Sequence, residues 1–132
     1  LKHLKDGGAI IIFPAGAISL APKIFGAAFD VQWKTFVAKL ALQPDTTTVP
    51  FYFEGGNSTL FQFARKMSQT LGYSLMFREI CRRMGTGLTV TMRAPVHTAD
   101  LTSLPDRIAV TDYLRQQTYN GHAVAPPLQH GA

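Results

Sequence analysis

A chain of 132 residues with 46% hydrophobic and only 16% charged side chains has the length and apolar content for one buried core, which excludes the disordered class. Its net charge of +5 suits an anionic lipid surface, an acidic carrier protein, a phosphorylated cofactor or nucleic acid, without choosing among them. Cys81 is the single cysteine, which excludes an internal disulfide and a thiolate metal cluster and fits a reducing, cytosolic setting.

Leu1-Lys2-His3-Leu4-Lys5 before Asp6-Gly7-Gly8 reads as the last turns of a helix ending at glycine, so the chain is expected to begin inside a fold. The first residues lack the charged-then-apolar pattern of a signal peptide, and no apolar run approaches membrane-spanning length. Ala9-Ile10-Ile11-Ile12-Phe13, a continuous apolar run between Gly8 and Pro14, predicts a central parallel strand buried on both faces. It leads into Pro14-Ala15-Gly16-Ala17-Ile18-Ser19, small residues just past a strand's carboxyl end, where open α/β sheets place their ligands. Trp33, Phe36, Val37 and Leu40 fall at i, i+3, i+4 and i+7, one stripe of a helix that closes before Pro44.

Thr48-Val49-Pro50-Phe51-Tyr52-Phe53 predicts a second strand. Pro50 lacks a ladder donor there, which puts it at an edge, a strand start or a bulge. Ser58 or Thr59 caps a helix whose apolar positions are Leu60, Phe63, Ala64, Met67 and Leu71, and Gly72 breaks or bends it. Phe77, Ile80, Cys81 and Met84 make the next stripe, closed by Gly85. Leu88, Val90 and Met92 alternate with Thr89, Thr91 and Arg93, as in an outer strand with one buried face. A last helix is expected from about Ser103-Leu104-Pro105-Asp106 to Tyr119. Gly121, Pro126, Pro127 and Gly131 then describe a tail. The order strand, helix, strand, two helices, strand, helix predicts an α/β fold, a mostly buried mixed sheet flanked by helices, with 1–119 in one domain and 120–132 as a flexible tail. The helical stripes are expected to be core.

The histidines, His3, His97, His122 and His130, lack a second histidine at ligand spacing, so no metal site is expected. His97-Thr98-Ala99-Asp100 sets a carboxylate three residues from an imidazole, but in an expected surface loop. Asp30 and Glu79 beside apolar segments read as buried hydrogen-bonding or ion-pairing groups, and Cys81 as a small hydrophobe on a helix. Arg65, Lys66, Arg78, Arg82 and Arg83 lie on two successive helices, either as ordinary solvated faces or as a shared basic surface. Nucleic acid is not an expected partner, because the aromatics keep to apolar stripes instead of interleaving with basic residues.

Phe13-Pro14-Ala15-Gly16-Ala17-Ile18-Ser19, then Asp30-Val31-Gln32-Trp33, then Val49-Pro50-Phe51-Tyr52 and Gly56-Asn57-Ser58-Thr59-Leu60-Phe61, resembles in order and spacing the lysophospholipid and glycerolipid acyltransferase superfamily. Over about Leu4 to Pro95 it looks like the hemolysin-like or ornithine-lipid acyltransferase branch. The family's third motif reads Phe-Pro-Glu-Gly-Thr-Arg-Ser and its fourth is a strand with Val-Pro. The resemblance implies the C-terminal part of a glycerolipid acyltransferase-like fold, one that moves a fatty acyl group from acyl-CoA or acyl carrier protein to a lysolipid hydroxyl. It implies no bound cofactor, and a cytoplasmic protein peripheral to the inner face of a membrane.

In that family a His-x4-Asp pair supplies the base, the aspartate orienting the imidazole that takes the hydroxyl proton. This sequence has no His-x4-Asp, so the pair is expected upstream of Leu1, and these residues alone are expected to be inactive. Residues implied to meet the acceptor are Phe13, Pro14, Ala15, Gly16, Ala17, Ile18 and Ser19, with Pro50 shaping the adjacent strand; a tight structural turn is the plainer reading of the same loop. Ala15 and Ile18 stand where the family's Glu and Arg meet a polar head. A forked phosphate clamp is therefore missing, and a lysolipid with another head group suits the loop better than glycerol 3-phosphate. The competing reading is a noncatalytic basic module that docks on anionic membrane or an acidic carrier. Either way, an open sheet edge is expected to pair with something, including a second copy.

Overall fold

The structure, a computed structural model, describes residues 2–16 and 30–120. Along them run α1 (Lys2–Lys5), α2 (Phe36–Ala41), β1 (Thr47–Thr48), β2 (Phe51–Phe53), α3 (Thr59–Met67), α4 (Gln69–Arg83), β3 (Val90–Met92), β4 (Val96–His97), α5 (Thr98–Leu101) and α6 (Arg107–Tyr119). The expected loop residues Ala17, Ile18 and Ser19 and, past Asn120, the expected tail lie outside the described residues.

The chain is a small mixed α/β domain, and its strands form two antiparallel two-stranded sheets, β1 with β4 and β2 with β3. This corrects the expectation of one mostly buried sheet with a parallel centre. Val49-Pro50 divides the expected second strand in two, as a residue without a ladder donor must. The registers on either side differ by one: Thr48 faces Val96, whereas Phe51 faces Met92. Val49 and Pro50 therefore stand opposite Arg93, Ala94 and Pro95, an extra residue of the kind that makes a bulge. A one-residue offset exchanges the two faces. Thr91 and Arg93 point partly inward while Val90 and Met92 are exposed, and past the offset it is Val96 that is buried. The Pro50 carbonyl accepts the Arg93 N–H at 2.9 Å, closing the gap.

The core gathers Trp33 and, from α2, Val37, Ala38 and Ala41 against Val96, Leu101 and, from α6, Val110, Leu114 and Tyr119. α6 forms where its signals stand: Asp106 is the N-cap, its carboxylate accepting the Ala109 N–H at 2.8 Å. That bond satisfies one of the donors a helix start leaves open. α2 keeps Val37 and Leu40 inside but leaves Phe36 exposed. His97-Thr98-Ala99-Asp100 is not a loop; it opens α5 as a reciprocal capping box, Asp100 Oδ2 accepting the His97 N–H at 3.1 Å.

Ala9 to Phe13 is the second correction. These residues form no strand, and Ile11 and Phe13 are 87% and 74% exposed. A strand buried on both faces needs neighbours on both edges. Among the described residues none pairs with this run.

The third correction concerns α3 and α4, which pack on each other as a hairpin. On α3 the buried side chains are Phe61, Gln62 and Ala64, while Leu60, Phe63 and Met67 of the expected core stripe are exposed. On α4 the side turned inward carries Gly72 and Glu79, and Phe77, Ile80, Cys81 and Met84 face out. Helical spacing identifies a face, not what covers it. Gly72 does not break the helix either. The break comes earlier, at Ser68, whose backbone is extended, and Gly72 lets α4 approach α3 so closely that a Cβ there would lie 3.2 Å from the Arg65 Cα.

Candidate functional site

The described half of the Phe13–Ser19 loop is a turn. Gly16 donates to the Phe13 carbonyl at 3.2 Å and takes φ of 62°, in the left-handed region that glycine enters at no steric cost. The Pro14 carbonyl accepts the Lys34 N–H at 2.9 Å, which ties the turn to the residue after Trp33. Ala15 is buried in the same cluster as Trp33 and Tyr119, whereas Phe13 turns to solvent. Pro50 is buried at the junction of β1 and β2, and no hydrogen bond joins it to residues 13–16 among the described residues. The structure thus seats Pro14, Ala15 and Gly16 on the core and sets Pro50 into the ribbon.

Beside Trp33 lies a polar cluster that the sequence did not reveal. Asp30 Oδ2 accepts the Trp33 indole N–H at 3.0 Å, and the Asp30 backbone N–H reaches the Tyr119 hydroxyl at 3.4 Å. The Arg115 guanidinium donates to the Asp30 carbonyl at 3.4 Å and stands 5.6 Å from the Tyr119 ring centre. Tyr52 meets Tyr119 edge to face, 5.5 Å between ring centres. Burial, and then the neighbouring Asp30 charge, push the Tyr119 phenol from 10.0 up to about 12, so it stays a neutral hydroxyl. Arg115 Nε and Arg93 Nη2 are buried without a hydrogen-bond partner among the described residues. In this cluster the Tyr119 phenol keeps its proton and the Asp30 carboxylate accepts the indole N–H.

A second constellation holds the Gly56-Asn57-Ser58 segment. Ser58 caps α3 by accepting the Phe61 N–H at 3.2 Å, and Glu79 of α4 accepts both the Ser58 N–H, at 2.7 Å, and its hydroxyl. Burial alone would raise the Glu79 carboxyl. The two bonds from Ser58, with Arg82 and Arg78 nearby, outweigh it and hold the group below the usual range. Arg83 donates to the Gly56 carbonyl. Asn57, Phe61, Met76, Ile80 and Met84 line, with Glu79 and Arg83, an open cavity of about 470 Å³.

The described histidines are both engaged in local contacts: His3 Nε2 with the Ala9 carbonyl and His97 Nδ1 with the Thr47 hydroxyl, each at 3.1 Å. Asp100 is spent on capping. Among the described residues no group of three metal-ligating side chains comes together, and no helix is long and apolar enough to cross a membrane. Compared with family models, curated proteins and solved structures, the chain matches none of them.

Proposed function

We propose that this chain is the acceptor-side part of a lipid O-acyltransferase, which moves a fatty acyl group from acyl-CoA or acyl carrier protein to a lysolipid hydroxyl at the face of a membrane. One observation carries the reading. The Phe13-Pro14-Ala15-Gly16 turn, with Gly16 at a positive φ, is followed in order by a tryptophan that shares its core cluster, by Pro50 at a strand break and by Ser58 at a helix cap. That order resembles the family's third and fourth motifs, and on this reading the small mixed α/β domain is the C-terminal part of a glycerolipid acyltransferase-like fold. Further support comes from Ile10, Ile11 and Phe13, whose apolar side chains are exposed and on this reading are covered by a segment before Leu1.

On this reading the turn receives the acceptor. Gly16 lets it approach the backbone, and Ala15 and Ile18 leave no phosphate clamp, which favours a head group other than a phosphomonoester. The proposal assigns the proton-abstracting histidine and its aspartate to a segment before Leu1. Because a positioned base contributes roughly 10²–10⁴-fold, these 132 residues alone are expected to show no transfer.

The test has two steps. The reading frame upstream of Leu1 is searched for His-x4-Asp, and the longer chain is assayed for transfer of labelled acyl groups to lysolipids. Gly16→Val, which forces a β-branched residue into a left-handed conformation, is expected to lower kcat/KM about tenfold or more. A frame without the pair, or a longer chain that transfers nothing, would overturn the proposal.

A further inference from the structure

The outward faces of α3 and α4 are apolar and rimmed by cations. On α4, at 3.6 residues per turn, Tyr73, Phe77, Ile80 and Met84 share one outward stripe, with Phe77 75% and Met84 73% exposed. Arg78 follows on one flank of that stripe, while Arg82, on the far side of the helix, pairs with Glu79 at 3.6 Å and Arg83 donates to the Gly56 carbonyl. α3 repeats the arrangement, with exposed Leu60, Phe63 and Met67 beside Lys66. The one carboxylate between Thr59 and Met84, Glu79, is buried and turned onto Ser58. Nearly all of the chain's net +5 is therefore concentrated on this hairpin.

We propose that the α3–α4 hairpin is a membrane-docking surface that lays Phe77, Ile80, Met84 and Met67 into the headgroup boundary of an anionic bilayer while Arg78 and Lys66 meet lipid phosphates. Charge complementarity selects this occupant. An exposed apolar stripe on a strongly cationic hairpin is how an interfacial helix sits: the rings and thioethers enter the acyl boundary, and long basic side chains such as Arg78 and Lys66 reach back to the headgroups. This surface does not rest on the acyl-transfer reading, since it concerns where the chain lies and not what it converts.

Cys81, the single cysteine and exposed beside the stripe, is the natural probe. The full chain is labelled there with a polarity-sensitive fluorophore and mixed with vesicles of phosphatidylcholine alone or with one part in three of phosphatidylglycerol. The emission is expected to shift to the blue, and the chain to co-sediment, with the anionic vesicles only. Raising salt from 0.1 M to 1 M shortens the screening length from about 10 Å to about 3 Å and is expected to release much of the bound chain. Phe77→Glu, at an exposed position, is expected to weaken binding about tenfold or more with an unchanged far-UV spectrum; Arg78→Glu is expected to weaken it as well, with a smaller salt dependence. Equal binding to zwitterionic vesicles, binding by Phe77→Glu at the wild-type level, or no binding to anionic vesicles would overturn the proposal. So would sedimentation showing that the chain is a dimer and that Phe77→Glu makes it monomeric, because a second copy would then cover the face. Acyl transfer is not read in this experiment, so its failure and that of the acyltransferase reading are separate results.

Discussion

The Glu79 carboxylate accepts hydrogen bonds from both the backbone N–H and the hydroxyl of Ser58, twenty-one residues earlier in the chain. One acidic side chain thereby fixes the start of α3 from the middle of α4. Glu79→Ala leaves the Ser58 donors without their partner and is expected to cost about 2–3 kcal/mol, as for hydrogen bonds to a charged group. Ser58→Ala, which also removes the cap, is expected to cost about 1–2 kcal/mol. Urea denaturation of each variant measures both.

The same carboxylate gives stability a pH dependence. Its folded pKa is depressed, so its contribution is complete above the ordinary glutamate value, about 4.3, and is lost as pH falls through the lower folded value. In a series of denaturation curves from neutral pH downward, Glu79→Gln is expected to lack that acid-side loss while the wild type keeps it.

Tyr119 acts at the other end of the scale. Its folded pKa lies at about 12 against 10.0, so the stability it contributes is complete below about 10 and is lost as pH rises toward 12. Tyr119→Phe is expected to flatten that alkaline decline and to remove a late phenolate step from the ultraviolet titration. At neutral pH the lost bond to the Asp30 N–H is expected to cost about 0.5–1.5 kcal/mol.

Thr98 joins α2 to α5 through one hydroxyl, which lies 3.0, 2.9 and 2.9 Å from the carbonyls of Ala41, Gln43 and Thr46. A hydroxyl has one proton to give, so the three acceptors share it. Thr98→Val keeps the shape and removes the donor, with an expected loss of about 1–3 kcal/mol. Thr98→Ser is expected to retain most of the stability, and thermal melts of the pair check this.

Two apolar truncations separate the core from the outer stripe. Leu114→Ala, at a fully buried position, is expected to cost about 2–5 kcal/mol. Phe77→Ala on the exposed face of α4 is expected to change stability in solution by no more than about 0.5 kcal/mol. A large loss for Phe77→Ala would mean that the ring is buried after all.

Signals that act within a few residues were legible in the sequence. The stop of α1 at Gly7, the Ser58 cap, the end of α4 before Gly85 and the approximate extent of α6 each follow from a local backbone need. Burial was not legible, because it depends on what arrives from elsewhere. The stripes on α3 and α4 were found but assigned to the wrong side, and the run from Ala9 to Phe13 has a strand's composition without a strand's neighbours. The offset opposite Pro50 reversed the faces of β3 for the same reason, since only the partner strand defines a register. In the candidate site the turn at Pro14 to Gly16 was readable as punctuation. The bond between Asp30 and Tyr119 spans eighty-nine positions, and neither residue's surroundings hinted at the other.

Residues 54–89 leave the β2–β3 ribbon and return to it at neighbouring points, where Phe53 faces Val90 and the Glu54 N–H reaches the Thr89 carbonyl at 3.0 Å. The helical hairpin is thus a detour on a continuous ladder, and neither of its helices supplies a side chain to the main core cluster. A substitution on the hairpin's outer surface therefore leaves the packing around Trp33, Leu101 and Leu114 as it is.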